Sequence, residues 1–334
     1  MKLGIIGLPG SGKTTVFEAL TQRVTHIGKK EGTRISTSHV PDKRVDVLSR
    51  IFKPKKTIYA QVEYLLPGKQ DFLNAVRESD ALIHVIRNFK VYGLKGPDPY
   101  DHFRNLEQEL IISDLVVAEK RLDRLTAESK KGRKGSLEEL ALLTECCKNL
   151  NDGFPLRNFP HIANSPLLRG FAFLSAKPML VLFNNEDDDE KIPHIKGLSG
   201  SEDCMVIRAK LEQELAQMSP EEAADFLSEF KIASSAKDRV ISKSYALMGL
   251  ISFFTVGDDE VRAWTIKKGT QAIDAAEVIH TDLKKGFIRA EVLSFDEFIA
   301  AGSFAEARKR GTVRLEGKTY VVEDGDIITI RFNV

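Results

Sequence analysis

The sequence is poor in cysteine, in surplus charge and in long apolar runs, and each shortage removes a class of protein. Three cysteines occur in 334 residues, Cys146 and Cys147 adjacent and Cys204 alone. An odd number without a CxxC pair is neither a disulfide framework nor a zinc ribbon, and it agrees with a reducing compartment. Lysine and arginine number 49 against 48 aspartates and glutamates, a formal net charge of +1. Wholesale coating of DNA, or electrostatic docking on an anionic membrane, requires a basic excess that is missing here. The most apolar stretch beyond the N-terminus, Tyr245 to Val256, falls well short of the roughly 20 residues that a bilayer-spanning helix needs. Met1 to Gly7 turns from a short apolar run into a glycine loop, which is no signal-peptide pattern. The expectation is a cytoplasmic protein with no membrane and no DNA partner. Internal repeats and low-complexity tracts are absent as well.

What is present is ordinary globular composition, 42% hydrophobic and 29% charged, at a length that suggests about two domains. Apolar runs at Leu3–Ile6, Ile58–Leu66 and Asp80–Ile86, with helical patterns between them, predict a parallel sheet covered by helices. That rhythm stops at Leu106. Ile111, Leu115, Ala118, Leu122 and Leu125 then recur in steps of four and three, a heptad seam. The basic run Lys130 to Gly135 interrupts it, Ser136 to Glu139 reads as a capping box, and Leu140, Leu143, Cys147 and Leu150 continue the seam. The pattern predicts an antiparallel helical hairpin. Strand character returns at Pro178–Phe183, a further α/β unit covers Met205 to Leu215, and a helix-rich stretch runs from Pro220 to Gly249. From Ile251, strands at Ala263–Ile266, Phe287–Val292, Thr319–Val322 and Ile327–Phe332 surround helices at Asp274–Ile279 and Phe295–Ala301. The expected organisation is an α/β nucleotide-binding domain (1–104 and 152–250), an inserted hairpin (105–151) and a small α+β domain (251–334).

The sharpest motif is Gly7-Leu8-Pro9-Gly10-Ser11-Gly12-Lys13-Thr14, which fits G-x-x-x-x-G-K-[ST] between a buried strand and a helix. Gly7, Gly10 and Gly12, with Pro9 and Ser11 between them, let backbone N–H groups converge on phosphate oxygens, and the helix N-terminus adds positive potential. Lys13 is expected at the β- and γ-phosphates, the Thr14 hydroxyl on Mg²⁺, and Thr15 on the α-phosphate side. A kinase, a GTPase and an ATPase all carry such a loop. At the base-reading end, Asn184-Asn185-Glu186-Asp187 stands where a GTPase has N-K-x-D. Asn184 and Asp187 are spaced to contact the base, while Asn185 replaces the lysine that stacks on it. The competing explanation is a solvated acidic loop, since Asp188, Asp189 and Glu190 extend the run.

Hydrolysis also needs a carboxylate at the end of a second strand to hold the Mg²⁺ water shell. That strand reads Val62-Glu63-Tyr64-Leu65-Leu66-Pro67-Gly68, without D-x-x-G; Glu63 comes too early and Asp71 follows the turn. This weighs against fast autonomous hydrolysis.

With these residues assembled, the chain resembles the YchF/Obg-like ATPase family, a translation-factor-related branch of P-loop GTPases. The likeness runs through the P-loop, Val40-Pro41-Asp42-Lys43-Arg44-Val45-Asp46, Lys53-Pro54-Lys55-Lys56 and Glu78 to Arg87. It is most specific at Val261-Arg262-Ala263-Trp264-Thr265-Ile266, Ile279-His280-Thr281-Asp282, Lys285 to Glu291, and Leu315 to Asp326. The resemblance implies a P-loop NTPase fold of doubly wound, mostly parallel sheet, a coiled-coil insertion and a C-terminal TGS domain of ubiquitin-like β-grasp type. It implies an ATP-preferring, Mg²⁺-dependent nucleotidase that associates with ribosomes. Against the family pattern, the D-x-A-G switch and its glycine-rich loop are collapsed into Leu66-Pro67-Gly68-Lys69-Gln70. The first switch is short, with Thr33, Ser36 and Thr37 as candidates for its Mg²⁺-sensing hydroxyl. The family's base loop is N-x-x-E, where this chain has Asp187, so ATP and GTP both stay open.

Basic clusters at Lys130–Lys134, Lys267-Lys268, Lys284-Lys285 and Arg308-Lys309-Arg310 are candidate contacts to ribosomal RNA. Solvated faces are the competing explanation, because the last 84 residues carry 12 basic and 14 acidic side chains, 12 − 14 = −2. His280 and Trp264 are expected to pack inside the terminal domain. Two functional readings follow: an NTPase with weak or partner-dependent turnover, or a non-hydrolysing nucleotide-gated scaffold. A small-molecule kinase is disfavoured, since no lid or acceptor site follows the P-loop.

Overall fold

The computed structural model describes residues 1–21, 32–68, 72–93, 95–130, 136–195, 203–219, 221–222 and 235–333. The backbone divides into two compact units, Met1–Ser38 with Glu63–Val240, and His39–Val62 with Ile241–Val334. The segment 39–62, which chain order alone groups with the nucleotide-binding region, folds with the C-terminal residues.

The first unit is built on a sheet of β1 (Lys2–Ile6), β2 (Arg34–His39), β4 (Gln61–Leu66), β5 (Ala81–Asn88), β6 (Met179–Asn185) and β7 (Cys204–Ile207), in the order β2-β4-β1-β5-β6-β7. The pairs β1·β4, β1·β5, β5·β6 and β6·β7 are all parallel. Central parallel strands are covered on both faces and so read as continuous apolar runs; every residue of β6 is buried. The chain leaves β1 for β2 and β4 on one side and then builds β5 to β7 on the other. That reversal is a topological switch point, and ligands bind outside the carboxyl ends of the strands at such a point. Tight helix-to-strand packing also shows at Gly4, where a Cβ would meet Ser79 Oγ at 2.9 Å.

The hairpin forms as the heptads predict, from helices Pro99–Lys130 and Leu137–Asn151. Ile111, Leu115, Ala118, Leu122 and Leu125 pack with Leu140, Leu143, Cys147 and Leu150 in one apolar cluster. Ser136 caps the second helix by accepting from the Glu139 N–H at 3.2 Å. The Glu139 carboxylate crosses to Arg121 instead of closing the capping box, with two bonds of 2.8 and 3.0 Å. At the hairpin base the buried Asp114 accepts from Leu174 N (2.9 Å) and Ser175 N (2.6 Å), fixing the helix to the returning chain. All three cysteines are buried, and burial pushes the Cys146 thiol up to about 12. Residues 131–135 of the basic loop lie outside the described residues, as do Lys69 and Gln70 of the collapsed switch and Asp71 after it.

The second unit carries a sheet of β3 (Lys56–Ile58), β8 (Leu250–Val256), β9 (Glu260–Lys267), β10 (Phe287–Ser294), β11 (Arg314–Glu316) and β12 (Asp326–Phe332), ordered β11-β10-β12-β8-β9-β3. β8 and β9 form an antiparallel hairpin, helix Ala272–Ile279 follows, β10 pairs antiparallel with β11 and β12, and β12 lies parallel to β8. This is the β-grasp arrangement. Its far edge is extended by β3, which pairs parallel to β9 with Lys56 opposite Glu260. Helix Lys43–Phe52 belongs to the same unit, capped by Asp42 and closed by Lys53 in the left-handed region (φ +45°). Arg44 ties it down through Asp42 and Asp324, both at 2.8 Å, while Phe52 stacks on Phe298 at 5.5 Å.

Three local expectations are corrected. The single strand read over Ile58–Leu66 is two strands, β3 and β4, in different sheets. Thr319–Val322 is not a strand; Val321 makes one isolated bridge to Gln271, and the short strand is Arg314–Glu316. His280 is not packed inside, its side chain being 64% exposed, and it caps helix Thr281–Lys285 by accepting from Asp282 N. Trp264 does pack against the apolar cluster, with Nε1 donating to Thr255 Oγ1 at 2.9 Å.

Candidate nucleotide-binding site

The loop 7–12 leaves the end of β1 and enters helix Lys13–Thr21. Gly10 and Gly12 have φ of +77° and +87°, values that L side chains rarely adopt. A Cβ on Gly12 would overlap Asn184 Nδ2, and one on Gly7 would overlap the Val85 carbonyl oxygen. Around Gly10 there is open space. The glycines therefore serve two needs, close approach to β5 and β6 beneath the loop and free backbone above it.

Lys13 Nζ donates to the carbonyls of Gly7 (2.7 Å) and Leu8 (2.9 Å), lying back across the loop. Burial lowers its pKa, and among the described residues no neighbouring charge offsets that burial. Ser11 is fully buried and its Oγ has no hydrogen-bond partner among the described residues. Thr14 is exposed and Thr15 half-buried, while Pro9 and Gly10 face solvent. An uncompensated ammonium under a glycine cradle, at a helix N-terminus, fits a polyphosphate. Among the described residues no group of three or more His, Cys, Asp or Glu is placed to hold a metal ion. A Mg²⁺ here would depend on phosphate oxygens and the Thr14 hydroxyl.

Asn184 joins three strands' worth of loops. Its Nδ2 donates to the Ser11 carbonyl at 3.1 Å, and its Oδ1 accepts from Ala209 N at 3.1 Å. Asn185 is turned inward: Nδ2 donates to the carbonyls of Asp189 (3.1 Å) and Lys191 (2.8 Å), and Oδ1 accepts from Asn88 Nδ2 at 3.0 Å. It shapes the loop and leaves the stacking position of the usual lysine empty. Asp187 is exposed. Arg208 steadies its backbone by donating to the Asp187 carbonyl at 3.3 Å and pairing with Glu190 at 3.0 Å. Motif spacing gave no hint of Asn185's inward turn, of Arg208, or of Phe89, whose ring lies 3.7 Å from the position of a Cβ on Gly12.

The catalytic half is different. Lys2 pairs with Glu63 and Gly4 with Leu65, so Leu66, Pro67 and Gly68 flank the P-loop end of the sheet. Glu63 sits opposite Lys2, five residues before Gly7 and roughly 16 Å away along the strand, with its carboxylate 3.8 Å from Lys2 Nζ. It is not a displaced switch carboxylate. Of the first-switch hydroxyls, Ser36 is buried in β2, its Oγ without a partner among the described residues, whereas Thr33 and Thr37 are exposed.

His84, in β5, is fully buried with neither ring nitrogen hydrogen-bonded among the described residues, and it stacks on Phe103 at 5.7 Å. Burial, with repulsion from Arg157, His102 and Lys13, holds its pKa down to about 3. The unfolded chain regains the ordinary value near 6.5. Between those values the unfolded state binds the extra proton, so stability falls as pH drops below about 6.5. His84→Leu is expected to remove about one proton, near 1.4 kcal/mol per pH unit, from the acid-side slope. Urea midpoints measured from neutral pH down to about pH 4 check this, and an unchanged slope would rule it out.

The sheet order, glycine cradle and inserted hairpin define a P-loop NTPase fold, followed by a β-grasp unit. Comparisons with known proteins give its family. The profile YchF-GTPase_C, described as "Protein of unknown function (DUF933)", matches residues 250–333. The Ribosome-binding ATPase YchF of Bacillus subtilis (strain 168) is 35% identical over 361 residues, covering 99% of each chain. The protein of the same name from Escherichia coli O157:H7 is 34% identical over 360 residues, covering 100% of this chain and 99% of that one. The structure of the Schizosaccharomyces pombe YchF GTPase matches with a TM-score of 0.84 at 28% identity, covering 99% of this chain and 97% of that one. The chain belongs to the YchF family.

Proposed function

We propose that this protein is a Mg²⁺-dependent, nucleotide-gated, ribosome-associated member of the family, with weak or partner-dependent hydrolysis of ATP or GTP. One observation carries the reading: the phosphate cradle is complete, with the uncompensated Lys13 beneath it, while the adjoining strand end is Leu66-Pro67-Gly68 and offers no carboxylate. Relatives named as ribosome-binding ATPases support the partner and the nucleotide.

Backbone N–H groups of residues 10–15 hold the phosphates. Lys13 leaves its two carbonyls to neutralise β/γ charge, and the Thr14 hydroxyl would hold a Mg²⁺, which would supply countercharge to the phosphate oxygens. Asn184 keeps the loop and the 207–209 turn in register. Asp187 accepts from the base edge, and Phe89 offers an aromatic surface in place of the missing lysine. Attack by water lacks its usual positioning group, so turnover is slow unless a partner supplies charge in trans.

Calorimetric titration with ATP and GTP, with and without Mg²⁺, tests binding and selects the base. Phosphate release with and without ribosomes tests turnover. Saturable binding with release stimulated by ribosomes is the expected result; no binding below millimolar would reject the reading. Binding without release in either condition would favour the second reading, a nucleotide-gated scaffold, which the carboxylate-free strand end also motivates.

A further inference from the structure

Two of the four basic clusters noted in the sequence, 284–285 and 308–310, carry carboxylate partners. Lys284 pairs with Asp274 and Glu277, Lys285 with Asp282, and Lys309 and Arg310 with Glu306. A different set of cations is left, brought together by strand register. Arg289 on β10 lies directly opposite Arg331 on β12. Directly opposed residues project from the same face, and like charges there destabilise the pair. On the same face Glu291 Oε1 accepts from both Arg331 (2.9 Å) and Arg308 (3.4 Å). Arg331 and Arg308 are 54% and 58% exposed, while Glu291 is only 14% exposed. Arg289 has no ion-pair partner among the described residues; its Nη1 lies 3.3 Å from the position of a Cβ on Gly317. Two guanidiniums thus share one carboxylate and the third has none, a local charge of 3 − 1 = +2 among the described residues, within a domain whose overall balance is −2.

We infer that Arg289, Arg308 and Arg331 form a docking face for the phosphate backbone of RNA, an inference that rests on the proposed ribosome association and names the surface that serves it. Arg289 without a carboxylate, beside two arginines that divide one between them, leaves positive charge that an anion lying across the face would offset. Planar guanidinium forks match two phosphate oxygens each, which a lysine cluster does not. Arg289 and Arg331 sit on paired strands and Arg308 on helix Phe304–Lys309 tied to them through Glu291, so little ordering entropy opposes binding.

The test is the double variant Arg289→Gln with Arg331→Gln. Ribosome co-sedimentation and fluorescence binding of a short single-stranded RNA are measured across a salt series, together with the unfolding midpoint. The expected results are at least about a tenfold loss of RNA affinity and a salt slope shallower by about 1.4, two counterions from a single strand. The unfolding midpoint should hold or rise, because the opposed charges are gone. Wild-type affinity and slope in the variant would overturn the inference, as would a loss of affinity with the salt slope unchanged. If wild-type protein binds the RNA through this face but fails to sediment with ribosomes, the docking face stands and the ribosome reading falls.

Discussion

Lys13→Ala is expected to lower affinity for ATP or GTP by at least about 100-fold, near 2.8 kcal/mol, without lowering the unfolding midpoint. The two halves of that result come from one side chain. In the free protein Lys13 holds only the carbonyls of Gly7 and Leu8, and burial disfavours its charge. Removing it therefore costs the fold little. With a triphosphate in the cradle the same ammonium becomes the main countercharge to the β/γ oxygens, and its loss leaves them facing a site with no other uncompensated cation on the loop. Calorimetry and thermal unfolding on the same preparation separate the effects. A parallel fall in both would mean that Lys13 is a structural residue and that the site does not bind phosphate through it.

The second large effect is expected at Asn184. Asn184→Ala strips the Ser11 carbonyl and the Ala209 N–H of their buried partner. Each unsatisfied group costs about 1–3 kcal/mol, so a loss of roughly 2–5 kcal/mol follows if no water replaces the amide. Nucleotide affinity should fall by at least about tenfold, 1.4 kcal/mol, since the loop at Ser11 and Gly12 loses the anchor that sets its height. Asn184→Asp distinguishes anchoring from base contact. It keeps the acceptor for Ala209 N and places a carboxylate oxygen against the Ser11 carbonyl. Part of the stability should return while the affinity does not. If Asn184→Asp binds nucleotide normally, the Ser11 bond is irrelevant to the site.

These two residues also mark the limit of what residue order reveals. Lys13 is legible because everything it needs lies within fourteen residues: a strand, three glycines and a helix start. The hairpin is legible for the same reason, since a heptad seam repeats within one helix and Asp114, though buried, does not interrupt it. Asn184 is legible as a motif position, but its work is not. The partners Ser11 and Ala209 stand 173 and 25 residues away, and only the parallel alignment of β1, β6 and β7 brings them to one amide.

Chain order reads correctly wherever the signal is local. Periodicity, glycine at forced backbone angles and turn chemistry act over a few residues, and they set the P-loop, the coiled hairpin and most strands and helices of the β-grasp unit. Non-local pairing sets the rest. One apolar run, 58–66, is divided between two sheets because Lys56–Ile58 meets Glu260–Arg262 and Glu63–Leu65 meets Lys2–Gly4. The same register removes Glu63 from the phosphate site, and another register opposes Arg289 to Arg331 on an open face. Propensity and pattern act through the backbone of neighbouring residues, whereas register and burial depend on strands some 200 residues distant. The loss of D-x-x-G was plain from composition of the loop; that nothing nearby on β4 replaces it could be seen only once the strands were aligned.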